Sequence, residues 1–251
     1  EKTNHKIWRI DAPEALKMIE SGMQREDAFI ADGHHRYEVS CAYRDQMKEK
    51  LGERFSEDAS FNFTLAYFTN TDQRSLSILP IHRLLELDKP LDLEGFILGL
   101  KKYFDLEEVK DKARFFFLLE KAGRCEHLLG MYKEKKYWLL RLKNIKILDK
   151  LISDKPKEYR ILDVSILNQI IFKDILGYDS ANKDNLKYSP YAQDFIEAQD
   201  RDALSVAFFL NPVKMEQIIA VALSDNKMPA KSTYFYPKVL SGLVVNKHDE
   251  S

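Results

Sequence analysis

The chain has 251 residues, 45% of them hydrophobic, which suits one globular protein of two modest lobes. Its 39 basic and 40 acidic side chains give a formal net charge of −1, so no overall field attracts nucleic acid or an anionic membrane. The two cysteines form neither a disulfide framework nor a metal-binding pattern. Without a signal-peptide pattern or an apolar stretch of membrane-spanning length, the protein is expected to be cytoplasmic.

The first elements predicted are a helix, a short strand and a second helix. Residues 13–22 carry apolar side chains on one face, and the apolar run at residues 28–31 predicts a strand that breaks at Asp32 and Gly33. Directly after the break, apolar residues recur at helical spacing as far as Met47. The pattern is that of strand, tight turn and helix.

Two strands are predicted next, over residues 61–67 and 76–79, and the first has alternating apolar residues that indicate one buried face. The second strand ends near Pro80, just before His82 and Arg83. The pattern changes at Lys89, so a first lobe is predicted over residues 1–88 and a second over residues 89–251.

In the second lobe, strands and helices are mixed without regular alternation, which predicts an α+β fold rather than a doubly wound sheet. Strands are predicted at residues 104–109, 127–132, 137–142 and 204–210, and helices at residues 93–100, 113–121, 162–175 and 213–222. The charged run at residues 133–136 is interpreted as a solvated hairpin turn. Asn211 and Pro212 are predicted to begin the last helix.

The most informative segment is Asp32-Gly33-His34-His35-Arg36. Gly33 permits a backbone conformation that other residues resist, and the helix that follows offers unpaired N–H groups to an anion. Two imidazoles and a guanidinium repel one another there unless an anion or a carboxylate balances them, and the planar fork of Arg36 suits a phosphate. The alternatives are that Asp32 simply caps the helix, or that His34, His35 and Glu38 bind a metal. Adjacent histidines on a turn are poorly placed for one ion, so anion binding is favoured.

Two further clusters are candidates for phosphate contacts. His82 and Arg83 are either a second phosphate contact or a strand-end pair that meets solvent or a carboxylate. Lys231, Ser232 and Thr233 offer consecutive N–H groups and small hydroxyls that suit an anion nest, which Lys238 would reinforce. The Tyr-Phe-Tyr run at residues 234–236 is more typical of core packing.

Residues 31–38 resemble the ADGHHRYE signature of a bacterial family of domains of unknown function, DUF1015. The segments at residues 208–212 and 228–243 are similar to the ending of that family. The resemblance implies that the chain corresponds to the C-terminal portion of the family, and that an N-terminal portion is absent.

A more distant resemblance concerns the Gly33-x-His35-Arg36 core, which is similar to the nucleotide-binding motif of the ParB/sulfiredoxin superfamily. Sulfiredoxin has a cysteine where His34 stands, so sulfinate reduction is not implied, whereas the free-serine kinases of the superfamily carry the same Asp-Gly-His-His-Arg turn. The resemblance implies a ParB/sulfiredoxin-like nucleotide-binding lobe, incomplete at its N-terminus, followed by an α+β C-terminal lobe. It also implies ATP or ADP with Mg²⁺ as cofactor, Asp32 and His35 as catalytic residues, and Gly33, His34, His35 and Arg36 as the phosphate-binding group. The glutamate base of those kinases has no assigned counterpart in this sequence.

Two functions follow from these observations. The first is nucleotide-dependent phosphoryl transfer to or from a small hydroxy metabolite, with serine or phosphoserine favoured, and the acidic residue before Gly33 supports it. The second is a regulatory protein that binds a nucleotide or phosphate without fast turnover. Either function implies a small phosphorylated ligand as partner, and neither nucleic acid nor membrane. The nucleotide, the acceptor, the direction of transfer and the oligomeric state are not predicted.

Overall fold

The structure is a computed structural model that describes residues 4–71, 76–123, 125–178 and 185–248. The chain forms two compact units. Unit 1 contains Glu1–Leu76 and Pro237–Ser251, and unit 2 is the continuous segment Ser77–Tyr236 between them. The domains predicted over residues 1–88 and 89–251 remain a prediction. In the described part of the chain, no helix has both the length and the apolar character needed to cross a membrane.

Unit 1 contains the two helices predicted from the sequence, α1 (Pro13–Met23) and α2 (His34–Leu51). Pro13 occupies the first turn of α1, where its missing N–H costs no hydrogen bond. Gly52 ends α2 with a positive φ of 54°, a conformation that glycine adopts without strain. Short 3₁₀ turns follow at Gly52–Arg54 and Ser60–Asn62.

The strands predicted at residues 28–31 and 61–67 are wrong. Residues 28–31 are irregular, and residues 61–67 begin in a 3₁₀ turn and continue without regular structure. The alternating side chains of Phe63 and Tyr67 are 58% and 67% exposed. A strand needs a neighbour to receive its backbone hydrogen bonds, and no strand of unit 1 among the described residues provides one.

The described residues of unit 2 form two sheets, in which all pairs of neighbouring strands are antiparallel. The strands are β1 (Ser77–Leu79), β2 (His82–Glu86), β3 (Phe104–Val109), β4 (Leu128–Lys133), β5 (Lys136–Leu142), β6 (Leu186–Ser189), β7 (Ser205–Phe209) and β8 (Tyr234–Tyr236). A small sheet pairs β1 with β8, and a six-stranded sheet has the order β3-β5-β4-β7-β2-β6. The mixed helices and antiparallel strands confirm the α+β class, and the ParB/sulfiredoxin-like lobe remains a prediction.

The helices of unit 2 are mostly short and begin at side-chain caps where the sequence provides them. They are α3 (Leu93–Tyr103), α4 (Lys112–Ala122), α5 (Ile147–Leu151), α6 (Lys157–Arg160), α7 (Asp163–Ile166), α8 (Ala192–Arg201) and α9 (Met215–Leu223). The Asp92 carboxylate accepts from the Gly95 N–H at 3.1 Å, and the Asp111 carboxylate accepts from the Arg114 N–H at 2.7 Å. α7 continues into a π-helix over Leu167–Ile175, within the helix predicted at residues 162–175.

Hydrophobic clusters cover both faces of the six-stranded sheet. Neighbouring residues of a strand point to opposite faces, so Phe208 and Phe209 of β7 belong to different clusters. One cluster contains residues of α3 and of the π-helix, and the other contains residues of α4 and α8. The sheet is therefore a middle layer with helices on either side, which fixes β2 and its side chains within unit 2.

Two local predictions in unit 2 need correction. The last helix begins at Met215, with Lys214 at the N-cap position and the Gln217 side chain accepting from the Lys214 N–H at 2.9 Å. The Asn211 amide instead approaches the Leu128 carbonyl at 3.4 Å. The charged turn after β4 is not wholly solvated, because Lys133 is only 2% exposed and donates to the Ala203 and Ser205 carbonyls.

Candidate functional site

The turn at residues 32–36 lies at the start of α2. Gly33 is the N-cap residue and has a φ of 84° and a ψ of 26°, in the left-handed region. Its carbonyl accepts from the Tyr37 N–H at 3.1 Å, and no side chain caps the helix. Asp32 therefore does not cap α2, and the first N–H groups of the helix retain their character as an anion site.

Asp32 is held by two cations. Its Oδ2 lies 3.1 Å from Lys238 Nζ and 4.0 Å from Arg36 Nη2. Burial raises the pKa of Asp32, but the hydrogen bond and charge of Lys238, a backbone hydrogen bond at Gly33 and the charge of Arg36 outweigh it and hold the pKa below its ordinary value. The carboxylate is therefore ionised at neutral pH. The sequence motif gave no sign of this pair, because Lys238 is 206 residues away along the chain.

Arg36 folds back over the glycine of the turn. A Cβ placed on Gly33 would lie 2.9 Å from Arg36 Nη2 and 3.1 Å from its Nε. The absence of a side chain at Gly33 thus has two effects: it permits the positive φ, and it leaves room for the Arg36 guanidinium. Arg36 is placed at the helix N-terminus beside the backbone N–H groups, where its fork can grip a phosphate.

The two histidines of the turn differ in exposure. His34 is half-buried, whereas the His35 side chain is 99% exposed and its Nδ1 lies 3.3 Å from Glu38 Oε2. An exposed pair of this kind contributes little to stability. His35 is therefore free to change partners when a ligand binds, and its predicted catalytic role remains a prediction.

The second and third predicted clusters meet each other in unit 2. Arg83 Nη2 donates to the Lys231 carbonyl at 2.9 Å, and the Ser232 hydroxyl donates to the Pro229 carbonyl at 2.5 Å. Thr233 is half-buried next to them. Their predicted convergence with the Asp32 turn, which belongs to unit 1, remains a prediction. His82 and Arg83 lie inside β2 rather than after a strand, since β1 ends at Leu79 and β2 begins at His82.

His82 is a neutral acceptor in the interior of unit 2. Its Nδ1 accepts from the Leu210 N–H at 3.2 Å, and its ring meets that of Phe209 edge-on at 5.3 Å. Burial and, to a lesser degree, the charge of Arg83 lower the pKa of His82 from 6.5 to about 4. At neutral pH His82 therefore adds no positive charge to this region.

We expect His82 to make unfolding sensitive to acid. Because the pKa of His82 is depressed in the folded chain, its contribution is complete above pH 6.5 and is lost as the pH falls toward 4, about 3 kcal/mol of unfolding free energy in all. The variant His82→Asn keeps an acceptor for the Leu210 N–H but does not titrate. Urea unfolding at pH 7 and pH 4 should show the parent losing more stability than the variant, and equal losses would contradict the assignment.

The described residues contain no group of three or more His, Cys, Asp or Glu side chains arranged to hold a metal ion. Asp32 is a single carboxylate with cationic neighbours. Mg²⁺ is commonly held by one or two carboxylates together with the phosphates of a nucleotide, so Asp32 fits a Mg²⁺ ion that arrives with its nucleotide.

The chain is therefore a mixed α/β protein. It has a glycine turn at a helix N-terminus in unit 1 and antiparallel sheets in unit 2. The chain belongs to the family described as "Protein of unknown function (DUF1015)", whose model matches residues 1–165. The match includes the Asp32 turn, and the similar ending at residues 208–243 lies beyond it. No curated protein matches the chain.

Several solved structures resemble the chain at low similarity. A free serine kinase mutant in complex with AMP has 13% identity and a TM-score of 0.41, with 90% of this chain and 81% of that chain covered. A conserved hypothetical protein from Pyrococcus furiosus has 12% identity and the same TM-score, with 88% and 81% covered. A free serine kinase mutant in complex with ADP has 14% identity and a TM-score of 0.41, with 88% and 78% covered. Similarity at this level does not establish a shared activity.

Proposed function

We propose that the Asp32–Arg36 turn binds the phosphates of ATP or ADP, and that the protein transfers a phosphoryl group to or from a small hydroxy metabolite. Serine or phosphoserine is the favoured substrate, as the resemblance of residues 32–36 implies. The observation that carries the proposal is the arrangement around Gly33: a left-handed glycine opens α2, and the Arg36 guanidinium lies over it. Backbone N–H groups and a planar cation at one helix end match the oxyanions of a phosphate.

The charges of the turn suit phosphoryl transfer. Arg36 and Lys238 flank the Asp32 carboxylate, so the site has both cations for phosphate oxygens and an ionised acid for the transferred proton or for Mg²⁺. Phosphoryl transfer depends mainly on positioning and on neutralising charge. Asp32 is the described residue that would hold Mg²⁺, which when bound neutralises the phosphates. His34 and His35 complete the phosphate-binding group in this proposal.

A second function is supported by a different observation. In the described chain, Lys238 already engages the Asp32 carboxylate, and the exposed His35 pairs with Glu38 rather than with Asp32. A turn in this state binds phosphate without an acid–base pair in place. The alternative function is therefore a regulatory protein that holds a nucleotide or phosphate without fast turnover.

The direct test is calorimetric titration of the protein with ATP, ADP and AMP, with and without Mg²⁺, followed by a phosphoryl-transfer assay with serine and with phosphoserine. Tight nucleotide binding with transfer supports the enzyme, and binding without transfer supports the regulatory protein. Failure of all three nucleotides to bind would reject the enzyme and the nucleotide-binding form of the regulatory protein.

We expect Arg36→Lys to weaken nucleotide binding by about 1–3 kcal/mol, because lysine keeps the charge but loses the planar fork. The matched control is Arg44→Lys in the same helix, where Arg44 Nη2 pairs with Asp45 at 2.7 Å. Titration with ADP measures both. Equal affinities for the two variants would remove Arg36 from the site.

A further inference from the structure

Arg83 is a buried cation without an acidic partner. The residue is 1% exposed in the interior of β2, and none of the acidic side chains in the described ranges forms an ion pair with it. Burial lowers its pKa to about 10, opposed by Tyr188, whose ring centroid is 5.7 Å from the guanidinium carbon. The guanidinium remains charged at neutral pH, and an uncompensated charge in a protein interior is costly.

Lys133 is another buried cation of unit 2, and its charged neighbours can be compared with those of Arg83. Burial lowers the pKa of Lys133, but the charges of Glu134 and Asp202 oppose this effect. Carboxylates thus accompany Lys133, whereas Arg83 has only the aromatic ring and backbone carbonyls. The difference indicates that the counter-ion of Arg83 is supplied by a ligand.

Two of the three guanidinium nitrogens of Arg83 donate hydrogen bonds, and the third does not. Nη1 donates to the Ile81 carbonyl and Nη2 to the Lys231 carbonyl, while the buried Nε has no hydrogen-bond partner. Nε–H and an Nη2–H lie on one edge of the guanidinium, the edge that binds an oxyanion through two parallel hydrogen bonds. Nη2 has a hydrogen-bond partner and Nε has none, although a buried donor usually finds a partner.

The backbone that satisfies Nη2 is itself strained. Lys231 has a φ of 54°, in the left-handed region that residues with a Cβ adopt at a cost. Pro229 and Ser232 close the same turn through the Ser232 hydroxyl. The Lys231 carbonyl therefore occupies one donor of Arg83 in a conformation that the backbone would leave readily.

We propose that Arg83 binds the carboxylate of a small-molecule ligand through its Nε and Nη2 edge, and that residues 229–232 form a flap over this site. In this proposal one carboxylate oxygen replaces the Lys231 carbonyl as the acceptor of Arg83 Nη2. A carboxylate is favoured over a phosphate dianion because the neighbouring His82 is neutral, so Arg83 contributes one positive charge at this site, which one monoanion balances. The ligand is a small carboxylic acid, and this site does not depend on the proposed phosphoryl-transfer function.

The test is the melting temperature of the protein without nucleotide, measured against L-serine, D-glycerate, acetate, L-serinamide and inorganic phosphate. Serinamide is the matched probe because it lacks only the carboxylate. We expect one or more of the carboxylates to stabilise the parent in a concentration-dependent way, and serinamide to have no effect. A parent that responds to no carboxylate, responds equally to serinamide, or responds only to inorganic phosphate overturns the proposal.

Variants locate the site. Arg83→Met should lose the carboxylate response, and the matched buried-cation variant Lys133→Met should keep it; a response that survives in Arg83→Met overturns the assignment. Lys231→Gly keeps Arg83 but relaxes the flap, so it should weaken carboxylate binding about fivefold or more, since the closed state no longer carries strain. Unchanged or tighter carboxylate binding in Lys231→Gly would exclude the flap. If Arg83→Met does not fold, Lys231→Gly is the variant that tests the proposal.

Different results would reject the phosphoryl-transfer proposal and the carboxylate-site proposal. Arg36→Lys should weaken ADP binding and leave the carboxylate response intact, whereas Arg83→Met should lose the carboxylate response. If ADP does not bind the parent but L-serine does, the phosphoryl-transfer proposal is rejected and the carboxylate site stands.

Discussion

Asp32→Asn should reduce the rate of phosphoryl transfer by about a hundredfold or more, the scale of a lost acid–base group, while nucleotide affinity stays the same or increases. Asparagine preserves the size of the side chain but removes its negative charge. The ion pair with Lys238 is lost as well, so the Asp32 carboxylate no longer balances the positive charge of Lys238. The structure makes this variant more informative than it would be at a helix cap, because the N-cap position of α2 belongs to Gly33.

The measurement is paired, with calorimetry for ADP and a transfer assay on the same preparation. Lys238→Gln is the control, since it breaks the same ion pair and keeps the carboxylate. Full transfer activity in Asp32→Asn would contradict the catalytic role. If the parent protein binds nucleotide but shows no transfer, the regulatory alternative holds and the two variants should differ only in affinity.

The second large effect is expected from Gly33→Ala, which should weaken ADP binding by about tenfold to a hundredfold, as expected for the loss of a bidentate charged contact. A methyl group at this position would lie 2.9 Å from Arg36 Nη2, so the guanidinium must shift away from its place over the glycine. It also places alanine at a φ of 84°, which costs about 1–2 kcal/mol of stability.

Gly52→Ala is the control that separates the loss of stability from the loss of ADP affinity. Gly52 also has a positive φ, 54°, but a Cβ there would meet nothing within 4 Å. Both variants should unfold at lower urea concentration than the parent, and only Gly33→Ala should bind ADP weakly. Equal ADP affinity in the two variants would show that the position of Arg36 over the turn does not matter for binding.

The sequence predicts those elements of this chain whose signals are local. The apolar spacing predicted α2, and two apolar segments on either side of a charged run predicted the β4–β5 hairpin. The alternation of apolar residues over residues 61–67 predicted a strand that does not form, because a period of two indicates a strand only where a neighbouring strand exists to pair with it.

The contacts of the candidate site are harder to predict because they join distant residues. The DGHHR turn is visible in the sequence, but neither the Lys238 partner of Asp32 nor the contact of Arg83 with the Lys231 carbonyl follows from spacing. The burial of His82 and Arg83 was also missed, since a His-Arg pair gives no sign that it lies in an inner strand.

The division of the chain has a consequence for the order in which the protein is made. Unit 2 is one uninterrupted stretch, so all of its strands have been translated before Pro237 is added. Unit 1 is assembled from both sides of that stretch, and Lys238, which neutralises Asp32, is translated some two hundred residues after it. A nascent chain released at Tyr236 would contain every residue of the DGHHR turn and yet leave Asp32 without its lysine.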